Sequence, residues 1–180
     1  MKLVILDRDG VINYDSDQYI KSPEEWKPIP GSLAAIARLN QAGYRVVVAT
    51  NQSGIGRGLF ETDTLVAIHD KMNKALALMG GRIDAIFFCP HTNDDQCDCR
   101  KPKPGMLLRA TSEWGLDLGK SFMIGDHAKD MGAAKAAGCK AVLIRREYNQ
   151  NAGAELVAGD LEEAVRKVIE MDAVCEEKVS

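Results

Sequence analysis

Short apolar segments alternate with helical patterns along the chain, and this alternation restricts the fold more than any other feature. The apolar segments are continuous runs, which is typical of strands that helices cover on both faces. Strands and helices in regular alternation predict a parallel sheet and an α/β fold. The predicted strands are 2–6, 45–49, 83–88, 121–124 and 140–144. The first predicted helix begins with Ser32 as its N-cap, and the other helices span 62–79, 104–114, 131–137 and 161–171.

Length and composition indicate one domain. With 180 residues, 46% of them hydrophobic, the chain is long enough to bury one core. We assign residues 1–172 to a single Rossmann-like domain of three layers, with a central parallel sheet and no large cap domain. Residues 173–180 are predicted to form a charged C-terminal tail. Two insertions interrupt the alternation, a polar loop at 14–30 and a small cysteine-rich loop at 89–99.

Charge and hydropathy argue against several classes of partner. The formal net charge is −3, which leaves no basic surface for nucleic acid or for an anionic membrane. No apolar run of the sequence approaches the ~20 residues that span a bilayer. We therefore expect a cytoplasmic protein with neither nucleic acid nor a membrane as a partner, and we predict that it is a monomer.

Polar side chains follow several of the predicted strands directly. Asp7 and Asp9 follow the first strand, Thr50 and Asn51 the second, and Asp126 the fourth. Because parallel strands end at one edge of the sheet, where open α/β sheets bind ligands, these groups should converge. Crowded carboxylates favour a divalent cation, and Mg²⁺ prefers oxygen ligands of this kind. Taken alone, an Asp-x-Asp-Gly segment is equally compatible with a plain turn.

The same residues belong to four short motifs that follow one another along the chain. Together these motifs resemble the haloacid dehalogenase-like phosphatases, and the resemblance covers most of the chain. It implies a Mg²⁺-dependent phosphomonoester hydrolase that works through an aspartyl-phosphate intermediate. The motifs are Asp7-x-Asp9, Thr50 after the second strand, a lysine within the segment 100–105 (Arg-Lys-Pro-Lys-Pro-Gly), and Gly125-Asp126 with Asp130 nearby.

The resemblance implies a role for each acid. Asp7 would attack phosphorus, and Asp9 would protonate the leaving group and then activate water. A carboxylate can act as a nucleophile towards phosphorus, and one carboxyl that changes its protonation state can serve both proton transfers. Mg²⁺ would be bound by Asp7, Asp126 and the backbone carbonyl of Asp9. Asp130 would anchor the loop or a metal-bound water.

Two further residues would hold the transferring phosphoryl group. Thr50 would contribute a hydroxyl and Lys101 a positive charge. Lys103 is the alternative cation, but the most similar family members use the lysine directly after the arginine, which favours Lys101. Arg8, between the two acids, should point to the opposite side of the strand. His69 should be a surface or flanking residue of its helix.

Four potential metal ligands lie within the segment 89–99. Cys89, His91, Cys97 and Cys99 offer three sulfur atoms and one nitrogen, which suits tetrahedral zinc in a cytosolic chain. All four ligands come from the protein, so we expect a structural zinc. The loop ends directly before Arg100 and Lys101 and would stiffen the segment that carries both cations. The alternative is a redox-active or incidental cysteine cluster.

The zinc loop narrows the resemblance to one branch of the family, which contains heptose 1,7-bisphosphate phosphatases and histidinol phosphatases. The segments 7–13, 51–58 and 100–106 resemble the heptose enzymes. That implies removal of the 7-phosphate of D-glycero-D-manno-heptose 1,7-bisphosphate, in nucleotide-activated heptose and lipopolysaccharide synthesis. The short spacer between His91 and Cys97 resembles histidinol phosphatases instead, and a non-catalytic zinc-stabilised phosphosugar-binding module is a third alternative. The resemblance implies substrate contacts at Asn51, Gln52, Ser53, Arg100 and Asp15.

Overall fold

The computed structural model describes residues 1–150 and 152–178. Its strands are β1 (Lys2–Leu6), β2 (Tyr44–Asn51), β3 (Ala85–Cys89), β4 (Phe122–Gly125), β5 (Lys140–Ile144) and β6 (Leu156–Ala158). Its helices are α1 (Ser32–Gln41), α2 (Ser53–Gly56), α3 (Thr62–Leu78), α4 (Gly105–Ser112), α5 (Ala128–Ala137) and α6 (Leu161–Glu177). Short 3₁₀ helices occur at Pro23–Glu25, Leu118–Lys120 and Glu147–Asn149.

The six strands form one sheet in the order β3-β2-β1-β4-β5-β6, and every neighbouring pair is parallel. Side chains alternate between its faces, as a strand requires. Val4 and Leu6 of β1 pack with α1, α3 and α6, whereas Leu3 and Ile5 pack with α4 and α5. Helices therefore cover both faces, and the predicted three-layer α/β fold with a central parallel sheet is confirmed.

Two predicted boundaries near the start of the chain differ from the structure. Thr50 and Asn51 do not follow β2 but form its last two residues, because both pair with β3. The N-cap of α1 is Gly31, at φ +85°, rather than Ser32. The hydroxyl of Ser32 is buried and donates to the carbonyl of Val11 at 2.8 Å, and no side-chain hydrogen bond caps α1.

Differences at the other end of the chain have simple causes. Strand β6 was not predicted, because its three residues are too few to show a periodic pattern. Helix α6 continues to Glu177, so it includes residues 173–177 of the predicted charged tail. The buried Asp172 accepts a hydrogen bond from the Tyr44 hydroxyl, which ties this part of the helix to β2. The predicted tail residues 179 and 180 lie outside the described residues.

The polar loop at 14–30 is attached to α3. Trp26 is 1% exposed, and Nζ of Lys71 donates to the carbonyls of Trp26 and Pro23 at 2.9 and 2.7 Å. The backbone N–H of Tyr14 donates to Lys27 at 3.0 Å. These bonds fix the loop beside the C-terminal end of β1. Within residues 1–150 and 152–178, no helix has the length and apolarity that crossing a membrane requires.

Candidate active site

Two strand ends meet where the order of the strands reverses. From β1 the chain proceeds to β2 and β3 on one side and to β4, β5 and β6 on the other. Asp7 follows β1 and Asp126 follows the adjacent β4, so both lie at the crevice where open α/β sheets bind ligands. Carboxylate oxygens of Asp7, Asp126 and Asp130 lie within 4.8 Å of one another. We call these three residues the acid cluster. Its third side chain is Asp130, which was predicted to anchor the loop or a metal-bound water, whereas Asp9 was predicted to contribute its backbone carbonyl.

One lysine joins the acid cluster. Nζ of Lys101 lies 2.8 Å from Oδ1 of Asp7 and 2.7 Å from Oδ1 of Asp130, and it also donates to the carbonyl of Ala49 at 2.7 Å. Burial lowers the pKa of Lys101, but the carboxylates of Asp130 and Asp7 outweigh burial and raise the pKa above its usual value. Lys103 is exposed and donates to a backbone carbonyl of the cysteine loop. The structure therefore brings Lys101, and not Lys103, to the acids.

The three carboxylates of the acid cluster carry more negative charge than Lys101 alone neutralises. Burial first, and then the neighbouring Asp130, raises the pKa of Asp7 well above its usual value. Burial also raises the pKa of Asp126. Carboxylates buried close together are costly without further positive charge. Because the available ligand atoms are all oxygens, the residues present fit a hard divalent cation such as Mg²⁺.

The carboxylate of Asp9 lies outside the acid cluster and has its own donors. Its Oδ1 accepts from Nε and Nη2 of Arg8 at 2.9 and 2.8 Å and from Nδ2 of Asn13 at 3.0 Å. Its Oδ2 accepts from Nε2 of Gln52 at 3.2 Å. Nη1 of the fully buried Arg8 lies 3.1 Å from Nε2 of His69. His69 is 8% exposed, so its prediction as a surface or flanking residue was wrong.

The end of β2 supplies two polar side chains with different surroundings. Thr50 is 1% exposed, and its Oγ1 accepts from Nε2 of Gln52 at 2.9 Å. The hydroxyl proton of Thr50 is therefore still available for donation to another oxygen. Both ends of the Asn51 amide bond to the backbone of Lys101, at 3.0 and 3.1 Å. Asn51 thus has a structural contact that its predicted role in substrate binding did not include.

A cavity of about 410 Å³ opens over these residues. Arg57, Lys129 and Tyr148 line it and were not predicted. For Arg57 a signal was available, since it stands in the glycine-rich segment 51–58. The residues predicted from the sequence that also line the cavity are Asp7, Asp9, Asp15, Asn51, Gln52, Ser53, Arg100, Lys101, Asp126 and Asp130.

The segment after β5 reaches the same edge of the sheet. The hydroxyl of Tyr148 donates to Oδ2 of Asp126 at 2.5 Å, and Nδ2 of Asn149 donates to the carbonyl of Asp126 at 2.7 Å. Nη2 of Arg146 donates to the carbonyl of Gly10 at 3.1 Å. This segment therefore braces both strand ends. Open α/β sheets bind ligands at the carboxyl ends of their strands, and this rule led to the prediction of Asp126. Applied to the end of β5, the same rule could have identified this segment from the sequence.

The cysteine loop brings its four predicted ligands together. The ligand atoms of Cys89, His91, Cys97 and Cys99 lie within 4.8 Å of one another. Sγ of Cys89 is 2.9 Å from Sγ of Cys99 and 3.7 Å from Sγ of Cys97, and Nδ1 of His91 is 3.3 Å from Sγ of Cys99. Sulfur and imidazole ligands grouped in this way suit a zinc ion. Nη1 of Arg100 donates to the carbonyl of His91 at 3.2 Å, so the cluster also supports the neighbouring cationic segment.

The family is established by sequence comparison. The model of the haloacid dehalogenase-like hydrolases matches residues 2–138. The chain therefore belongs to the haloacid dehalogenase-like hydrolase family, as its motifs predicted. The acid cluster and Lys101 lie within or beside those motifs.

Individual relatives of the chain carry more specific names than the family does. The chain is 53% identical over 177 residues to the D-glycero-beta-D-manno-heptose-1,7-bisphosphate 7-phosphatase of Bordetella bronchiseptica, covering 98% of this chain and 97% of that protein. It is 53% identical over 143 residues to the enzyme of the same name from Pseudomonas aeruginosa, covering 79% and 80%. The crystal structure of the B. bronchiseptica D,D-heptose 1,7-bisphosphate phosphatase in complex with magnesium and phosphate superposes with a TM-score of 0.90 at 50% identity, covering 95% and 99%. The corresponding Burkholderia thailandensis enzyme gives a TM-score of 0.71 at 42% identity, covering 93% and 97%.

Proposed function

We propose that this chain is a Mg²⁺-dependent phosphatase that removes the 7-phosphate of D-glycero-β-D-manno-heptose 1,7-bisphosphate. The observation that carries the proposal is the acid cluster with Lys101 at the reversal point of the sheet. The 53% identity over 98% of the chain to an enzyme of that name supports the choice of substrate. The product would be a heptose monophosphate for nucleotide-activated heptose and lipopolysaccharide synthesis. The predicted monomeric state and cytoplasmic location stay predictions.

The first step forms a covalent intermediate on Asp7. A carboxylate oxygen of Asp7 attacks phosphorus, and the bond between phosphorus and the sugar oxygen breaks. Asp9 donates a proton to that oxygen, and Thr50 and Lys101 bind the oxygens of the transferring phosphoryl group. Asp7, Asp126 and the backbone carbonyl of Asp9 would hold Mg²⁺. When bound, Mg²⁺ neutralises charge on the phosphate and lets the anionic nucleophile approach.

The second step releases phosphate. Asp9, now ionised, takes a proton from a water molecule, which attacks phosphorus and breaks the bond to Asp7. The same carboxyl therefore acts as acid and then as base, and each step leaves it ready for the next. The position of Asp9 beside the acid cluster but outside it suits this role, because its donors are separate from those of the other acids.

Substrate recognition would use residues that line the cavity. Arg100 would bind a charged part of the sugar phosphate, and Asn51, Gln52, Ser53 and Asp15 would lie along it. A zinc ion held by Cys89, His91, Cys97 and Cys99 would keep the segment of Arg100 and Lys101 in place. The role of this zinc is structural, because the protein fills all four positions.

The proposal is tested by phosphate release from the heptose bisphosphate with and without Mg²⁺. Asp7→Asn should abolish release, because the amide is not a nucleophile for phosphorus, while Asp70→Asn, on the exposed side of α3, should act like the parent protein. Activity retained by Asp7→Asn would refute the covalent mechanism. Absence of Mg²⁺-dependent release in the parent would instead favour a non-catalytic phosphosugar-binding module.

Histidinol phosphate is the competing substrate, because the spacer between His91 and Cys97 is short. The ratio of kcat/KM values for the two substrates, measured side by side, decides between them. We expect the heptose bisphosphate to be preferred by about a hundredfold or more, a ratio that charge-assisted recognition of a second phosphate can supply. A preference for histidinol phosphate would overturn the substrate assignment and leave the phosphatase assignment intact.

A further inference from the structure

The buried side chain of Arg8 connects Asp9 to His69, a histidine far away in the sequence. Arg8 has no exposed surface, and Nη1 of its guanidinium lies 3.1 Å from Nε2 of His69 on α3. An arginine only donates hydrogen bonds, so Nε2 of His69 must be the acceptor and the ring proton must be on Nδ1. Burial first, and then the positive charge of Arg8, lowers the pKa of His69 to about 3. The imidazole is therefore neutral near pH 7, as an acceptor has to be.

The contact fixes the orientation of the guanidinium. With Nη1 committed to His69, Nε and Nη2 both point at Oδ1 of Asp9, at 2.9 and 2.8 Å. Nδ2 of Asn13 adds a third donor to the same oxygen at 3.0 Å. Three donors exceed the two lone pairs of a carboxylate oxygen, so Oδ1 has no further capacity.

The other oxygen of Asp9 is in a different situation. Oδ2 accepts from the neutral amide of Gln52 at 3.2 Å, a longer bond than any of the three at Oδ1. Asp9 lines the cavity, and Oδ2 is the oxygen with capacity to bind a proton. The two oxygens of one carboxylate are thus divided, one held by the protein and one available for proton transfer.

We propose that His69 is a positioning residue for the proton transfers at Asp9. By accepting Nη1–H of Arg8, His69 holds the guanidinium on Oδ1 and so presents Oδ2 to the oxygen of the leaving group. The inference rests on the phosphatase function proposed above. Without the acceptor, the buried guanidinium turns towards another partner and Asp9 turns with it. A misplacement of about 1 Å at a reacting group costs roughly a hundredfold in rate.

The rival explanation is that His69 only satisfies a buried arginine. The two explanations differ in their dependence on the leaving group. A sugar oxygen needs a proton as it departs, whereas p-nitrophenolate leaves without one, so loss of general-acid catalysis affects the sugar phosphate far more. The comparison uses kcat/KM, which reports the steps up to departure of the leaving group and not the later hydrolysis of the aspartyl phosphate.

The test compares His69→Leu, which removes the acceptor, with His69→Gln, which keeps one. For His69→Leu we expect kcat/KM to fall about tenfold or more with the alkyl phosphate that the parent hydrolyses best, and less than about threefold with p-nitrophenyl phosphate. His69→Gln should stay within about threefold of the parent on both substrates. Equal losses on both substrates, or no loss on either, would overturn the proposal.

A measurement on the parent protein keeps the proposal falsifiable if His69→Leu does not fold. The chain has three histidines, so ¹⁵N-labelled histidine gives few NMR signals to assign. We expect His69 to show an unprotonated Nε2 and a protonated Nδ1 between pH 5 and 8. The opposite tautomer would overturn the proposal. A parent protein that hydrolyses no phosphate ester would instead refute the function on which the inference rests, with the tautomer still measurable.

Discussion

At the scale of single residues, glycine makes room for the acids. Gly10 has a φ of +81°, and a Cβ atom there would lie 2.0 Å from Oδ2 of Asp126. A Cβ on Gly125 would lie 2.3 Å from Oδ2 of Asp130. Two carboxylates therefore occupy space that any other residue would fill. The short Asp-x-Asp-Gly segment is more than a turn, because its glycine lets the end of β4 approach the end of β1.

Gly10→Ala tests this close approach. The substitution should lower the free energy of unfolding by about 1–2 kcal/mol, because an L residue disfavours the left-handed region. It should also lower kcat/KM by about a hundredfold, because Asp126 has to move. Gly43→Ala is the matched control, since Gly43 has a φ of +87° and nothing within 4 Å of its Cβ position. It should lose similar stability and no activity. Full activity of Gly10→Ala would contradict the argument.

The two lysines of the segment 100–105 provide the second residue-scale prediction. Lys101→Met should lower kcat by about a hundredfold to a thousandfold, because it removes the buried cation that is proposed to bind the phosphoryl group. Lys103→Met should change kcat by less than about threefold, since its Nζ is exposed and contacts only the carbonyl of Cys97 among the described residues. Steady-state kinetics with the same substrate measures both, and similar losses would refute the assignment of Lys101.

At the scale of elements, the cysteine loop acts as a support for the residues that follow it. Cys89 is the last residue of β3, and Gly105 begins α4, so both ends of the segment are anchored. Its interior has no regular secondary structure. Nε of Arg100 donates to Oδ1 of Asn93 at 2.7 Å, so the position of the guanidinium depends on the shape of the loop. Hydrogen bonds alone order such a segment only weakly, and a bound zinc would order it more strongly.

Cys97→Ser should release the proposed zinc and loosen this segment. We expect less than about one zinc per chain, faster hydrogen exchange in residues 90–104 and a kcat/KM about tenfold or more below that of the parent. Cys175→Ser, at an exposed cysteine of α6, should leave all three measurements unchanged. Retention of a full equivalent of zinc by Cys97→Ser would contradict the ligand set. Absence of zinc in the parent would contradict the site as a whole.

At the scale of the whole molecule, one buried histidine couples folding to pH. His69 keeps its pKa near 3 in the folded protein, whereas an unfolded histidine titrates near 6.5. Between those values the unfolded chain binds a proton that the folded protein does not. The contribution of His69 to stability is therefore fully present above about pH 6.5 and declines as the pH falls towards 3.

The expected effect is a difference in acid stability between the parent and His69→Gln. From pH 7 to pH 5 the parent should lose about 2 kcal/mol of unfolding free energy through this histidine, and His69→Gln should not. Other acids titrate in both proteins, so only the difference between the two curves counts. Denaturant unfolding at several pH values, with Mg²⁺ held constant, measures it. Parallel curves would show that His69 is not the neutral, buried group that the contact with Arg8 requires.

Much of this architecture follows from local sequence patterns. The strands are marked by continuous apolar runs, and the acids at the ends of β1 and β4 are marked by their distance from those runs. The four proposed zinc ligands lie within 89–99, so their spacing could be recognised directly in the sequence. Such features need only a few consecutive residues, since hydrophobic period and chain direction at a sheet edge determine them.

Tertiary structure alone decided which side chains meet. The contact between Arg8 and His69 joins residues 61 apart in the chain, and the bonds between Asn51 and Lys101 join residues 50 apart. The place of Asp130 in the acid cluster depends on how α5 follows β4. No periodic pattern encodes pairings of this kind, because they depend on the packing of separate elements and on the desolvation of the charges that packing buries.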